Sequence, residues 1–178
     1  MMPIDAYVEL GEGCEETLDS LADLGFEVAL ARILPGCGAR GGLWRDLKVI
    51  PCSVGAGPGP RALEPVNALL VELGNVDLKE LEVYLSRRPN KVRAIVIRFS
   101  ELRDLSRSGS LDLRALRRLV EVALDRRVPV LVGSGARRPE DLLGARALYS
   151  PLAALGVQAK GLKEYRSLLS YLRELVVT

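Results

Sequence analysis

The chain has 178 residues, enough for one domain with a sizeable core and too few for two ordinary ones. It contains no histidine, which excludes Ser/His/Asp and Cys/His catalytic centres, a His-ligated metal, and the imidazole that most often moves protons near neutral pH. Net charge is only +2, but a cut at Leu85 leaves 6 basic against 14 acidic residues before it (−8) and 19 against 9 after it (+10).

Arginine supplies 20 of the 25 basic residues and recurs as Arg87-Arg88, Arg117-Arg118, Arg126-Arg127 and Arg137-Arg138. Planar guanidinium groups suit bidentate contacts to phosphate and stacking on bases. The lopsided distribution points to RNA or another polyanion; the competing reading is a thermophile-like surface on which arginine simply pairs with acid. Hydrophobic residues make up 48% of the chain but aromatics only 4%, so Leu, Val, Ile and Ala must fill the core, a palette suited to parallel sheets covered by helices. No apolar run reaches about 18 residues and the N-terminus lacks the basic and apolar regions of a signal peptide, so the expectation is a soluble, cytoplasmic protein. Cys14, Cys37 and Cys52 are odd in number and form no CxxC pair, and they are expected to be reduced thiols.

In chain order, Asp5 to Leu10 is predicted as a strand and Glu15 to Leu24 as a helix, with Leu18, Leu21 and Leu24 at helical spacing and Gly25 as its stop. Strands are predicted at Phe26 to Ala31 and Leu47 to Cys52, separated by a loop, Pro35 to Trp44, that holds four glycines. A second loop, Val54 to Pro60, is richer still in Gly and Pro. Ala68 to Leu73 is predicted as a strand, Asp77 as the N-cap of a helix Leu78 to Ser86, and Val92 to Phe99 as the strongest strand in the chain. Leu111 to Arg126 follows as a helix and Val128 to Val132 as a short buried strand. Closing helices are predicted at Pro139 to Tyr149 and Leu162 to Leu175, with a possible strand or turn at Gly156 to Ala159.

Strands alternating with helices imply a parallel sheet with right-handed crossovers. Six or seven strands with no nucleotide fingerprint after the first lead to an expected α/β fold of compact or incomplete TIM-like βα-barrel type, as one domain over residues 1–178. The loops after such strands would gather Arg32, Gly55 to Gly59, Arg98 to Arg103 and Gly133 to Arg138 on one functional face.

Among the groups that could carry chemistry, Asp5, Glu9 and Glu12 could in principle hold Mg²⁺, which needs only one or two protein carboxylates; the competing roles are strand anchoring for Asp5 and solvation for the others. Gly55-Ala56-Gly57-Pro58-Gly59-Pro60 lacks the Lys-Ser or Lys-Thr of a P-loop, and its prolines donate no N–H, so it reads as a turn. In Ser134-Gly135-Ala136-Arg137-Arg138-Pro139-Glu140-Asp141, Ser134 and two arginines stand at a strand-to-helix junction opened by Pro139. That arrangement suits either a phosphate contact or a well-capped loop.

The Asp5-Ala6-Tyr7-Val8 strand, Leu24-Gly25-Phe26, and above all Ser134-Gly135-Ala136 followed by Arg138-Pro139 and Asp141-Leu142, then Ala154-Leu155-Gly156, resemble ribonuclease P protein component 3 of archaea and eukaryotes. The resemblance implies a fold related to the polymerase and histidinol phosphatase superfamily with its metal ligands lost. Where those enzymes carry His-x-His, this chain has Asp5-Ala6-Tyr7. It implies an RNA-binding subunit that supports removal of the 5′ leader from precursor tRNA. Catalysis and the Mg²⁺ requirement then belong to the RNA subunit, no cofactor belongs to this chain, and its partners are ribonuclease P RNA and ribonuclease P protein component 2. Between Leu34 and Pro60 the chain has Gly and Pro where the family would have a helix. The expected phosphate contacts are Arg87, Arg88, Lys91, Arg93, Arg98, Arg137 and Arg138, with Ser134 beside them. With few aromatics, backbone and shape would be read rather than bases. The alternatives are a carboxylate and Mg²⁺ phosphoesterase of the same fold, and a non-catalytic protein-interaction module.

Overall fold

The computed structural model describes residues 3–56, 59–87, 91–156 and 162–175. Two mixed sheets form among these residues. The first has the order β1-β2-β4-β3, built from β1 (Ile4–Leu10), β2 (Val28–Ile33), β3 (Gly42–Trp44) and β4 (Leu47–Pro51). The second is β5-β6-β7-β8-β9, from β5 (Ser53–Val54), β6 (Arg61–Glu64), β7 (Ala68–Leu70), β8 (Ala94–Arg98) and β9 (Val130–Gly133).

A TIM-like barrel, complete or incomplete, is not the architecture: no closed barrel forms among the described residues. The reason lies between residues 42 and 70. There β3 pairs antiparallel with β4, and β5, β6 and β7 pair antiparallel in succession, with no crossover helix among the described residues between them. Gly41 and Gly42 have φ of 90° and 104°, and Asn67 turns the chain between β6 and β7 at φ 54°, so this segment makes hairpins where a βα repeat needs helices. Parallel pairing is confined to β1-β2-β4 and β7-β8-β9.

The parallel strands are apolar at nearly every position because both faces are covered. Val28, Leu30, Ala94, Val96 and Leu131 share one cluster with Tyr165, Leu168 and Leu172 of α7 (Leu162–Glu174). The alternate residues Ala29, Ala31, Ile95, Ile97, Val130 and Val132 share the other. That second cluster is covered by α1 (Cys14–Asp23), α2 (Leu78–Arg87) and α4 (Leu113–Asp125), with α5 (Ala145–Leu148) and α6 (Ser150–Ala154). Between β8 and α4 lies α3 (Phe99–Arg107), which the sequence reading leaves as part of a strand and a loop. The expected helix Pro139 to Tyr149 is broken into a 3-10 turn, Pro139–Asp141, and α5, with extended backbone at Leu142 between them. The expected turn at 156–159 lies, apart from Gly156, outside the described residues.

The cysteines also depart from expectation. The loop after β2 folds back over the start of α1, bringing the Cα atoms of Cys14 and Cys37 to 5.5 Å, and the two form a disulfide; Cys52 alone is free and buried. No helix among the described residues is long and apolar enough to cross a membrane.

Candidate functional site

The motif Ser134-Gly135-Ala136 is where the two sheets meet. Gly135 N–H donates to the Tyr7 carbonyl (2.8 Å) and Glu9 N–H donates to the Ala136 carbonyl (2.9 Å), so the chain leaving β9 runs along β1. The approach is too close for side chains: a Cβ on Gly133 would lie 2.2 Å from the Tyr7 nitrogen, and one on Gly135 would lie 2.3 Å from the Ser100 hydroxyl. Gly135 also has φ 65°. The two glycines and the small Ala136 are therefore demanded by backbone packing at this seam.

Two buried carboxylates flank the seam. Asp5 is fully buried; its Oδ1 accepts the N–H groups of Ser134 (2.8 Å) and Tyr7 (3.2 Å), and its Oδ2 has no partner. Burial pushes its pKa up to about 6 against the opposing hydrogen bonds from Ser134 and Tyr7. Glu9 accepts from Arg137 Nε (2.5 Å) and the Tyr7 hydroxyl (3.0 Å), with Arg32 at 3.6 Å. Burial raises the Glu9 carboxyl, but the Arg137 and Tyr7 hydrogen bonds and the two arginine charges outweigh it and hold it below its ordinary value.

A second network stands at the ends of β7 and β8. Arg98 lies 3.5 Å from Glu72 and 3.7 Å from Glu101, and Arg61 also bonds Glu72. Glu101 is raised by burial, opposed by the Gly74 N–H on its Oε1 (3.2 Å). Arg103 reaches Asp104 and Asp141, and Arg138 reaches Glu140 at 3.9 Å. Arg32, Arg61, Arg98, Arg103, Arg137 and Arg138 thus collect at this end of the strands, each already facing a carboxylate.

The predicted contacts divide between two ends of β8. Arg98, Ser134, Arg137 and Arg138 come together at the strand C-terminal ends, as do Arg32 and Arg103. Arg137 and Arg138 are exposed there (side chains 73% and 76%). Ser134 is buried, its Oγ accepting the Ala136 N–H (3.1 Å). Arg87, Lys91 and Arg93 lie at the other end of β8, about 16 Å away for a five-residue strand. There the Arg93 guanidinium stacks over the Tyr171 ring at 4.0 Å. Arg88 lies outside the described residues.

Asp5, Glu9 and Glu12 do not assemble a cation site. Asp5 is turned to backbone amides, Glu9 to two arginines and a tyrosine, and Glu12 to solvent; no group of three or more metal-ligating side chains converges among the described residues. A cavity of roughly 650 Å³ opens well away from this seam, between the C-terminal end of α4 and α7, lined by Glu121, Asp125, Arg127 and Glu164 among others. Sequence reading missed the Arg32–Glu9–Arg137 bridge. The only signal was Glu9 on β1, in regular alternation with Asp5 and Tyr7 against Ala6, Val8 and Leu10; the register shift between Asp5 and Val8 then sends Ile4 and Ala6 to one core cluster and Val8 and Leu10 to the other.

Fold and site together define a mixed-sheet α/β protein whose β1–β9 seam carries buried carboxylates under an arginine-rich surface. No protein-family model, curated protein or solved structure matches the chain.

Proposed function

We propose that the chain is an RNA-binding protein subunit of ribonuclease P, supporting removal of the 5′ leader from precursor tRNA while the RNA subunit performs the hydrolysis. One observation carries this reading: the unpaired exposed charges lean to acid in the first half of the chain and to arginine in the second. Among the described residues the exposed acids without an ion-pair partner are Glu12, Glu15, Glu16, Asp46, Glu64, Asp77 and Glu80 in the first half of the chain, against Asp112, Asp125 and Glu174 in the second. The exposed arginines without one are Arg40 in the first half and Arg87, Arg93, Arg107, Arg114, Arg118, Arg127, Arg146 and Arg166 in the second. A surface built for arginine–carboxylate pairing would have consumed both sets. Free guanidinium groups on one part of the chain instead suit a phosphate backbone, with each neutralised phosphate adding about 0.7 to 0.9 to the salt slope of log K. The Ser134–Ala136 seam supports the same reading, since it explains in physical terms the residues on which the family resemblance rests and presents Arg137 and Arg138 to solvent.

The test is reconstitution of the protein with ribonuclease P RNA, with and without component 2, and cleavage of precursor tRNA across a Mg²⁺ series. Cleavage at lower Mg²⁺ than the RNA alone requires, together with steeply salt-dependent binding, is the expected result. Salt-independent binding with unchanged cleavage would overturn it, and turnover of small phosphate esters abolished by Asp5→Asn would install the phosphoesterase in its place.

A further inference from the structure

We infer that RNA phosphates are held at the α3–α4 elbow, by Arg107, Arg114 and Arg118, more than at the strand ends; this rests on the RNA-binding reading above. Arg107 is the last residue of α3. The chain turns at once, Ser110 and Leu111 N–H groups both donating to the Leu105 carbonyl (2.9 and 3.1 Å), and α4 begins at Leu113. Arg114 and Arg118 follow one helical turn apart on a shared face, separated by about 6 Å along the axis. All three side chains are exposed, and none has an ion-pair partner among the described residues.

The carboxylates around the elbow are already committed. Asp104 faces Arg103, Glu121 takes Arg117 at 3.1 Å, and Asp112 accepts the Arg114 and Ala115 N–H groups (2.9 and 3.2 Å) as the α4 N-cap. Arg107, Arg114 and Arg118 thus leave this surface net positive. The strand-end arginines differ: Arg98, Arg103, Arg137 and Arg138 each face a carboxylate that a phosphate would have to displace. A phosphate at the elbow displaces nothing.

The helix dipole treats these arginines differently: Arg107 stands in the last turn of α3, where a cation is favoured, and only Arg114 lies in the first turn of α4. There Arg114 meets the positive end of the helix dipole, with the Asp112 cap as the one anion beside it. Leu113, 61% exposed beside Arg114, offers an apolar surface to a ribose at the same edge.

The experiment compares wild-type protein, Arg114→Glu/Arg118→Glu and Arg137→Glu/Arg138→Glu for binding to ribonuclease P RNA across a salt series. Acid at the start of α4 favours the helix, so the first variant is expected to keep or raise its Tm, and lost binding cannot be put down to unfolding. Its salt slope should fall by about 1.4 to 1.8 and its affinity by about tenfold or more near 0.1 M salt. If it binds like wild type while the 137/138 variant loses affinity, the elbow is wrong and the RNA-binding reading survives. If wild-type protein itself shows no salt-dependent RNA binding, that reading fails and takes the elbow with it.

Discussion

Asp5 contributes a pH dependence of its own at the scale of a single residue. Its carboxyl is ordinary in the unfolded chain, at 3.8, and about 6 when folded. Between those values the folded state holds a proton that the unfolded chain has lost. The stability this group contributes is therefore fully present below pH 3.8 and is lost as pH rises through about 6. The difference is on the order of 3 kcal/mol. Asp5→Asn keeps an oxygen for the Ser134 and Tyr7 amides without the charge, so it should stabilise the protein at pH 7 by up to about 3 kcal/mol, the gain vanishing near pH 4. Denaturation at several pH values measures this, and parallel profiles for the two proteins would refute it. Gly133 is the second residue-scale determinant. Gly133→Ala sets a Cβ against the Tyr7 backbone, which cannot swing aside, and should cost about 3 kcal/mol or more in the same assay. A loss below about 0.5 kcal/mol, the scale of ordinary surface changes, would show that the seam can open.

Among the elements, α1 acts as a spine for the irregular segment after β2. Cys14 at its start is bonded to Cys37, while Asp19 and Asp23 further along accept from Trp44 (3.0 Å) and Arg45 (2.8 Å). A crosslink spanning 23 residues restricts the unfolded chain, and its loss by reduction or by Cys37→Ser should cost about 3 kcal/mol. Cys52 does not compete for the bond, since burial pushes its thiol up to about 12. Coincident denaturation midpoints with and without reductant would refute the crosslink. Elements with strong periodicity were legible from sequence: α1, α4 and α7 fall where apolar spacing puts them, and Asp77 caps α2 through the Lys79 and Glu80 amides (2.8 and 3.1 Å). The short antiparallel strands β3, β5 and β6 were not, because two to four residues carry too little alternation to stand out from a Gly- and Pro-rich loop. α3 escaped because β8 runs into it without a break at Phe99.

For the whole molecule, the charge division read along the chain persists on the folded surface as an excess of unpaired acid before residue 85 and of unpaired arginine after it. Engagement of about five of those arginines should give log K for RNA a salt slope near −4, a magnitude the reconstitution measures directly. The candidate site was legible only in part. Arg98, Ser134, Arg137 and Arg138 converge as their positions after strands suggest, whereas Arg87, Lys91 and Arg93 stand at the far end of β8. Strand direction separates them, and direction is a property of the sheet rather than of local spacing.

Local properties were decided by the sequence by itself: the helical periodicities, the apolar parallel strands, the absence of imidazole chemistry, and the division of charge. These depend on residues within a few turns of one another or on composition alone. Tertiary structure alone decided the two mixed sheets in place of a barrel, the Cys14–Cys37 bond, the burial of Asp5, and which arginines spend their charge on Glu9, Glu72 or Asp141. Each is settled by contacts between segments far apart in the chain, where desolvation and the nearest carboxylate act across space and leave no mark in local sequence.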